Sequence, residues 1–206
     1  ITAFEPFGAD QENASVEVLK RLSALEDCEL IKIIVPVVFG KATETVNECT
    51  DRENPDAILC LGQAGGRNAI SLERQAVNLC RTSNPDNDGN CPKDTPVILG
   101  GQDVLESTRP INQMQKYLTD AGISVEISDS AGTYVCNSLM YGMLHHLKET
   151  GRKIPAGFIH VPYFREQIKD KPEGKPFMEL NETVRGIRLC LENMRTQKRP
   201  NVQQVP

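Results

Sequence analysis

Apolar and polar positions alternate along this chain between short buried-type runs and helical stripes. "ITAF" (1–4) reads as the end of a first strand. In "ASVEVLKRLSALE" (14–26), Val16, Leu19 and Leu22 recur at helical spacing, with Val18 and Leu25 beside them. The β-branched run "ELIKIIVPVV" (29–38) predicts a strand, and "KATETVNECTDRE" (41–53) a helix stopped by Asn54-Pro55. "DAILCLG" (56–62) is an apolar run bounded by turn signals, as expected for a central strand buried on both faces. "AISLERQAVNL" (69–79) continues as one extended segment. Residues 81–96, "RTSNPDNDGNCPKDTP", form a long loop, functional or mobile by its length. A helix over 109–122 ending on a glycine cap, a strand over 123–129, a helix containing Cys136 and a strand over 157–161 follow. A last amphipathic helix covers roughly residues 179–193, leaving 194–206 as a polar tail.

This alternation predicts a single α/β domain over residues 1–206, with a twisted, mostly parallel sheet sandwiched between helices in three layers. In such sheets ligands bind where strands end and loops begin helices. Each unusual stretch of this chain lies at such an edge.

Composition narrows the function. The chain has 206 residues, enough to bury a sizeable core, and its net charge of −5 is spread without a basic stripe. Nucleic-acid binding therefore has no electrostatic footprint. Apolar runs such as "LIKIIVPVVF" (30–39) are too short to span a bilayer. The seven cysteines contain no CxxC pair, which argues for a reducing compartment, the cytoplasm, and against zinc-ribbon or thioredoxin chemistry. The chain opens at Ile1 without a methionine, so a few preceding residues are expected to be missing.

Cys136 stands where a loop runs into an apolar helix, in "SAGTYVCNSLMYGMLHH" (130–146). Such a cysteine is either a buried packing residue or a nucleophile held at a helix start. His145 and His146 lie roughly 13–15 Å further along the same helix, too far to touch its sulfur. They read as one face near the carboxyl end, where a cation is favoured. His160 closes the strand "GFIHVPY" and is a better partner. A cysteine and histidine at neighbouring junctions can activate the sulfur, with a thiol pKa lowered to roughly 3.5–7.5 by the helix start and an imidazolium. Backbone amides there can also stabilise an oxyanion. Glu73, in "SLERQAVN", either points to solvent or orients that histidine. "LGQAGGR" (61–67) is a strand with a glycine turn suited to an anion or carbonyl oxygen, but neither a P-loop nor a GxGxxG fingerprint.

Five stretches in order then carry a resemblance: "AFEPFG" (3–8), "GQAGGRNAISLERQAVN" (62–78), "PDNDG" (85–89), "SAGTYVCN" (130–137) and "GFIHVPY" (157–163). Together they resemble the pyroglutamyl peptidase I family of cysteine peptidases, over nearly the whole chain. The resemblance implies a Glu–Cys–His triad of Glu73, Cys136 and His160, and removal of an amino-terminal pyroglutamyl residue from peptides through a thioester, with no metal or cofactor. It also implies a pocket for the lactam ring from Phe4, Phe7, Tyr134 and Val135, with Asn13 and Gln63 as its polar partners. The ring needs apolar walls and about two well-placed polar groups, which accept from its N–H or donate to its carbonyl. The family includes tetramers, so a homo-oligomer is one expected state; neither nucleic acid nor membrane is an expected partner. The chain departs from the family pattern at Ala3, at Gly8-Ala9, at "NAS" (13–15) where many members read "NPS", and at Cys80–Asn84, where Arg81 sits earlier than the usual arginine. Two other readings remain at this point: an amidase using the same chemistry on another small lactam or amide, and a binding module in which Cys136 is only buried.

Overall fold

The structure is a computed structural model of the chain, and it describes residues 1–196. Its centre is a six-stranded sheet in the order β2-β1-β3-β8-β4-β7. The strands are β1 (Thr2–Phe4), β2 (Ile33–Val35), β3 (Ile58–Gln63), β4 (Ile70–Glu73), β7 (Val125–Ser128) and β8 (Ala156–Val161). All neighbours run parallel except β4 and β8, which pair antiparallel. The predicted α/β class and mostly parallel sheet are thus observed.

Strands β3, β4 and β8 are buried along their whole length, and their side chains separate by parity. Ile58, Cys60, Ala156 and Phe158 enter one core with α2 (Lys41–Glu53) and α4 (Val135–Glu149). Leu59, Leu61, Ile70, Leu72, Ile159 and Val161 enter a second core with α1 (Ala14–Arg21), α3 (Ile111–Asp120) and α5 (Leu180–Thr196). That alternation assigns Glu73 and His160 to the face that packs against α4. Among the described residues no helix is long and apolar enough to cross a membrane.

Several element boundaries differ from the sequence reading, each for a local reason. Helix α2 spans 41–53 as expected, and Asn54 caps it in a left-handed conformation with φ 44°. Helix α1 stops at Arg21 because Leu22 turns extended, while Leu22 and Leu25 stay buried outside the helix. Strand β2 ends at Val35, next to Pro36, which has no N–H to give a ladder. The segment 69–79 is not one strand. It breaks at Arg74, whose N–H donates to the Ser128 carbonyl (2.7 Å), and continues as β5 (Gln75–Val77) in a separate two-stranded sheet. Its partner β6 (Val104–Glu106) was hidden in sequence because three residues give too short an alternation. Met194, expected in the polar tail, is buried in the second core one turn after Cys190, and α5 runs to Thr196. Residues 197–206, the rest of that tail, lie outside the described residues.

Candidate active site

Glu73 ends β4 and His160 sits near the end of β8. In the antiparallel register Ser71 faces His160 and Glu73 faces Phe158. Glu73 and His160 are therefore diagonal neighbours on one face, close enough for long side chains to meet. They do: His160 Nδ1 lies 2.7 Å from Glu73 Oε1, with the histidine nearly buried and the carboxylate fully so. Burial opposes the charge on Glu73. The hydrogen bond and charge of His160, with Arg67, outweigh it and hold the carboxyl below the ordinary carboxylate range.

Cys136 is the second residue of α4. Its position over the sheet is set by a glycine: Gly62 pairs with His160 across β3 and β8. A Cβ at Gly62 would stand 2.7 Å from the Phe158 ring and 3.1 Å from Cys136 Sγ, so the sulfur sits above the side chain that Gly62 lacks. The Phe158 ring in turn lies 4.9 Å from the His160 ring. Nothing caps the start of α4 with a side chain, and the first helical hydrogen bond there is Ser138 N–H to the Tyr134 carbonyl (3.1 Å). The amides of the first turn before Ser138 have no partner within the helix.

These side chains line one small cavity of about 150 Å³, formed by Phe4, Phe7, Asn13, Val37, Gln63, Ala131, Tyr134, Cys136 and His160. Phe7 and Tyr134 stand 6.2 Å apart, and Phe39 meets Tyr134 edge-on at 5.4 Å. Val135, expected in the pocket, does not line it. As the first residue of α4 it points the other way, into the core, 1% exposed.

Asn13 and Gln63 line the cavity with their acceptors already used. Asn13 Oδ1 caps α1, accepting from Ser15 N–H (3.0 Å) and Ser15 Oγ (2.7 Å). Gln63 Oε1 accepts from Ala14 N–H (2.7 Å) and Gln167 Nε2 (2.8 Å). Each carbonyl holds two donors; Asn13 Nδ2 also donates to the Glu5 carbonyl (3.0 Å) and Gln63 Nε2 to Asp10 Oδ2 (3.3 Å), which leaves one N–H on each amide. Only a non-proline residue at 14 can supply the Ala14 bond, so the "NAS" departure has a structural consequence.

The thiol expectation needs correction. Desolvation, with the negative charge of Glu73 behind it, pushes the Cys136 thiol up to about 12. The sulfur therefore rests protonated at neutral pH, and its own helix start does not ionise it. Arg67 went unnoticed in sequence, although it follows the glycine turn that was singled out: its Nη1 donates to Glu73 Oε1 at 2.7 Å. Arg109, buried just before α3, donates from Nη2 to the carbonyls of Glu73 (3.1 Å) and Phe158 (2.6 Å), where β4 and β8 part.

The long loop is held, not loose. Buried Asp86 accepts from the N–H groups of Phe39 (2.9 Å), Asp88 (3.0 Å) and Asn90 (2.7 Å), and Tyr134 Oη donates to the Pro85 carbonyl (2.9 Å). Arg81, the displaced arginine, is exposed and pairs with Asp94 away from the cavity. His146 meets Asp51 at 2.9 Å and His145 stacks on Tyr141, so both serve the helix rather than the site.

A family model described as pyroglutamyl peptidase matches residues 1–197. The chain belongs to that family. Among its relatives, the pyrrolidone-carboxylate peptidase of Thermosipho africanus is 41% identical over 188 residues, 91% of each chain. Pyrrolidone-carboxylate peptidase 1 of Caldanaerobacter subterraneus is 42% identical over 193 residues, 93% of this chain and 95% of that one. A mutant pyrrolidone carboxyl peptidase from P. furiosus superimposes with a TM-score of 0.92 at 37% identity, covering 96% of this chain and 98% of its own. Pyroglutamyl peptidase I of Bacillus amyloliquefaciens gives 0.91 at 34%, covering 95% of each. The fold is thus shared over nearly the whole described chain.

Proposed function

We propose that this chain is a cysteine peptidase that removes an amino-terminal pyroglutamyl residue from peptides. One observation carries the reading: Cys136, at an uncapped helix start, and His160, held from behind by buried Glu73, line one small and mostly apolar cavity. Membership of the pyroglutamyl peptidase family supplies the substrate class.

Cys136 is the nucleophile, His160 the acid and base, and Glu73 the group that orients the imidazole. Because burial keeps the thiol protonated, His160 takes its proton as Sγ attacks the pyroglutamyl carbonyl carbon. The developing oxyanion faces the free amides at the start of α4. His160 then gives that proton to the leaving amine, the C–N bond breaks, and a thioester remains on Cys136. Water, deprotonated by His160, attacks the thioester and releases pyroglutamate and the thiol. Glu73 keeps Nδ1 as the donor side, leaving Nε2 for the sulfur. General acid–base help of this kind is worth roughly 10²–10⁴ in rate.

Phe4, Phe7 and Tyr134 wall the lactam ring, and the spare N–H groups of Asn13 and Gln63 donate to its carbonyl. A prolyl residue lacks that carbonyl and brings a charged ring nitrogen, leaving buried groups unpaired. The cysteines of the described chain are all free, which fits a reducing cytoplasm as the location.

The test is release of a fluorescent amine from a pyroglutamyl amide, beside glutamyl and prolyl amides, before and after iodoacetamide. Selective cleavage, lost on alkylation and abolished by Cys136→Ala in a folded protein, is the expected result. Cleavage without pyroglutamyl preference would favour the amidase. A folded, reduced protein that cleaves none of the three would be a binding module.

A further inference from the structure

Glu73 Oε1 takes two donors at the same distance: His160 Nδ1 and Arg67 Nη1, each at 2.7 Å. A carboxylate that only oriented a histidine would not need a guanidinium on the same oxygen. Arg67 is well placed to stay there. It ends the tight turn after β3, where Gly66 adopts φ +97° and a Cβ at Gly65 would strike the Tyr163 ring. Its side chain is 30% exposed, whereas Glu73 is fully buried, so Arg67 links a buried carboxylate to the surface.

The charges around Cys136 show what Arg67 does there. Glu73, on β4 behind the sulfur, discourages loss of the thiol proton, and Arg67 opposes it; Cys60 on β3 is a buried thiol pushed up to about 11 and carries no charge near neutral pH. His160 on β8 bonds Glu73 from the other side. Glu126 on β7 lies 4.0 Å from Arg67 and is half exposed, its carboxylate taken by Ser71 Oγ at 2.6 Å. Arg109 reaches the backbone of Glu73, and Tyr134 stands across the cavity.

We propose that Arg67 is a positioning residue that keeps Cys136 reactive near neutral pH, by fixing Glu73 Oε1 beside His160 and offsetting the negative charge of Glu73. This rests on Cys136 being the nucleophile of the proposed peptidase. Glu73 alone would orient the imidazole but would leave a bare negative charge beside a thiol that must lose a proton. The guanidinium removes that conflict without touching substrate.

The experiment is the rate of iodoacetamide labelling at Cys136 at fixed neutral pH, followed by mass spectrometry of the Cys136 peptide so that exposed Cys91 does not interfere. Arg67→Met should slow labelling roughly tenfold, the effect of about one unit in the thiol pKa and the low end for a lost neighbouring charge. Arg67→Lys, which keeps the charge, should stay near wild type. If Arg67→Met does not fold, Arg67→Gln replaces it: a hydrogen-bond donor without charge should show the same slowing. An unchanged rate in the uncharged variant overturns the proposal, even where turnover falls, and so does an equal slowing in Arg67→Lys, because a merely structural Arg67 would not separate the charged variant from the uncharged one. The labelling needs no substrate, so loss of pyroglutamyl selectivity in the amide assay would leave this result readable by itself.

Discussion

At the scale of single residues, Glu73 is a carboxylate with no exposure to solvent. A fully buried carboxylate is costly unless charged partners meet it, and here His160 and Arg67 do so on one oxygen. Burial works against its ionisation, but the partners win, and its carboxyl titrates below the ordinary value of 4.5. The sign follows from linkage. A depressed acid stabilises the fold above its unfolded value, and that contribution is lost as pH falls through the lower folded value. Glu73→Gln should therefore flatten the acid-unfolding curve below about pH 4.5, as followed by circular dichroism. At neutral pH the same variant should lower kcat by roughly 10²–10⁴, because an amide can present the wrong group to Nδ1. An unchanged acid transition would mean that the carboxylate is not charged in the fold.

At the scale of elements, two helix starts build the site in opposite ways. Helix α4 begins without a side-chain cap, so no side chain occupies the amides of its first turn, where Cys136 stands. Helix α1 begins with a full cap: Asn13 holds Ser15, and its Nδ2 donates to the Glu5 carbonyl at 3.0 Å, fastening the loop that carries Phe7. One residue thus closes a helix and walls the pocket. Asn13→Ala should cost about 1 kcal/mol of stability in a denaturant titration, the usual value of such a cap. It should also raise KM for the pyroglutamyl amide with little change in kcat, since the loop and one donor to the ring are loosened together. A variant with the lost stability but an unchanged KM would remove Asn13 from the binding residues.

At the scale of the whole molecule, the sheet divides the interior into two cores that share no side chain. Packing around Ile58 holds α2 and α4 to one face, and packing around Ile187 holds α5 to the other. Ile58→Val and Ile187→Val should each cost about 0.5–1.5 kcal/mol. Their costs should add to within about 0.5 kcal/mol, as measured by urea unfolding of the double variant, because neither site touches the other. A larger deviation would show that strain passes through the sheet from the α5 face to the face that holds Cys136.

The sequence alone carried the class of fold, the order of most elements and the proposal of Cys136, His160 and Glu73 as a set. Period and turn chemistry are local properties, and five motifs in order are readable without coordinates. Neighbourhood is not local. The antiparallel turn of β4 against β8, which makes Glu73 and His160 diagonal partners, came only from tertiary pairing, since an isolated run such as "ISLE" carries no direction. The same holds for Arg67, which went unnoticed beside the glycine turn until the fold brought it to Glu73. The side chain of Val135 packs into the core because adjacent helical residues face different ways, so a motif that contains Cys136 need not line the cavity throughout. The protonated state of Cys136 was invisible for the deepest reason: desolvation depends on everything packed around the sulfur, which only the folded chain assembles.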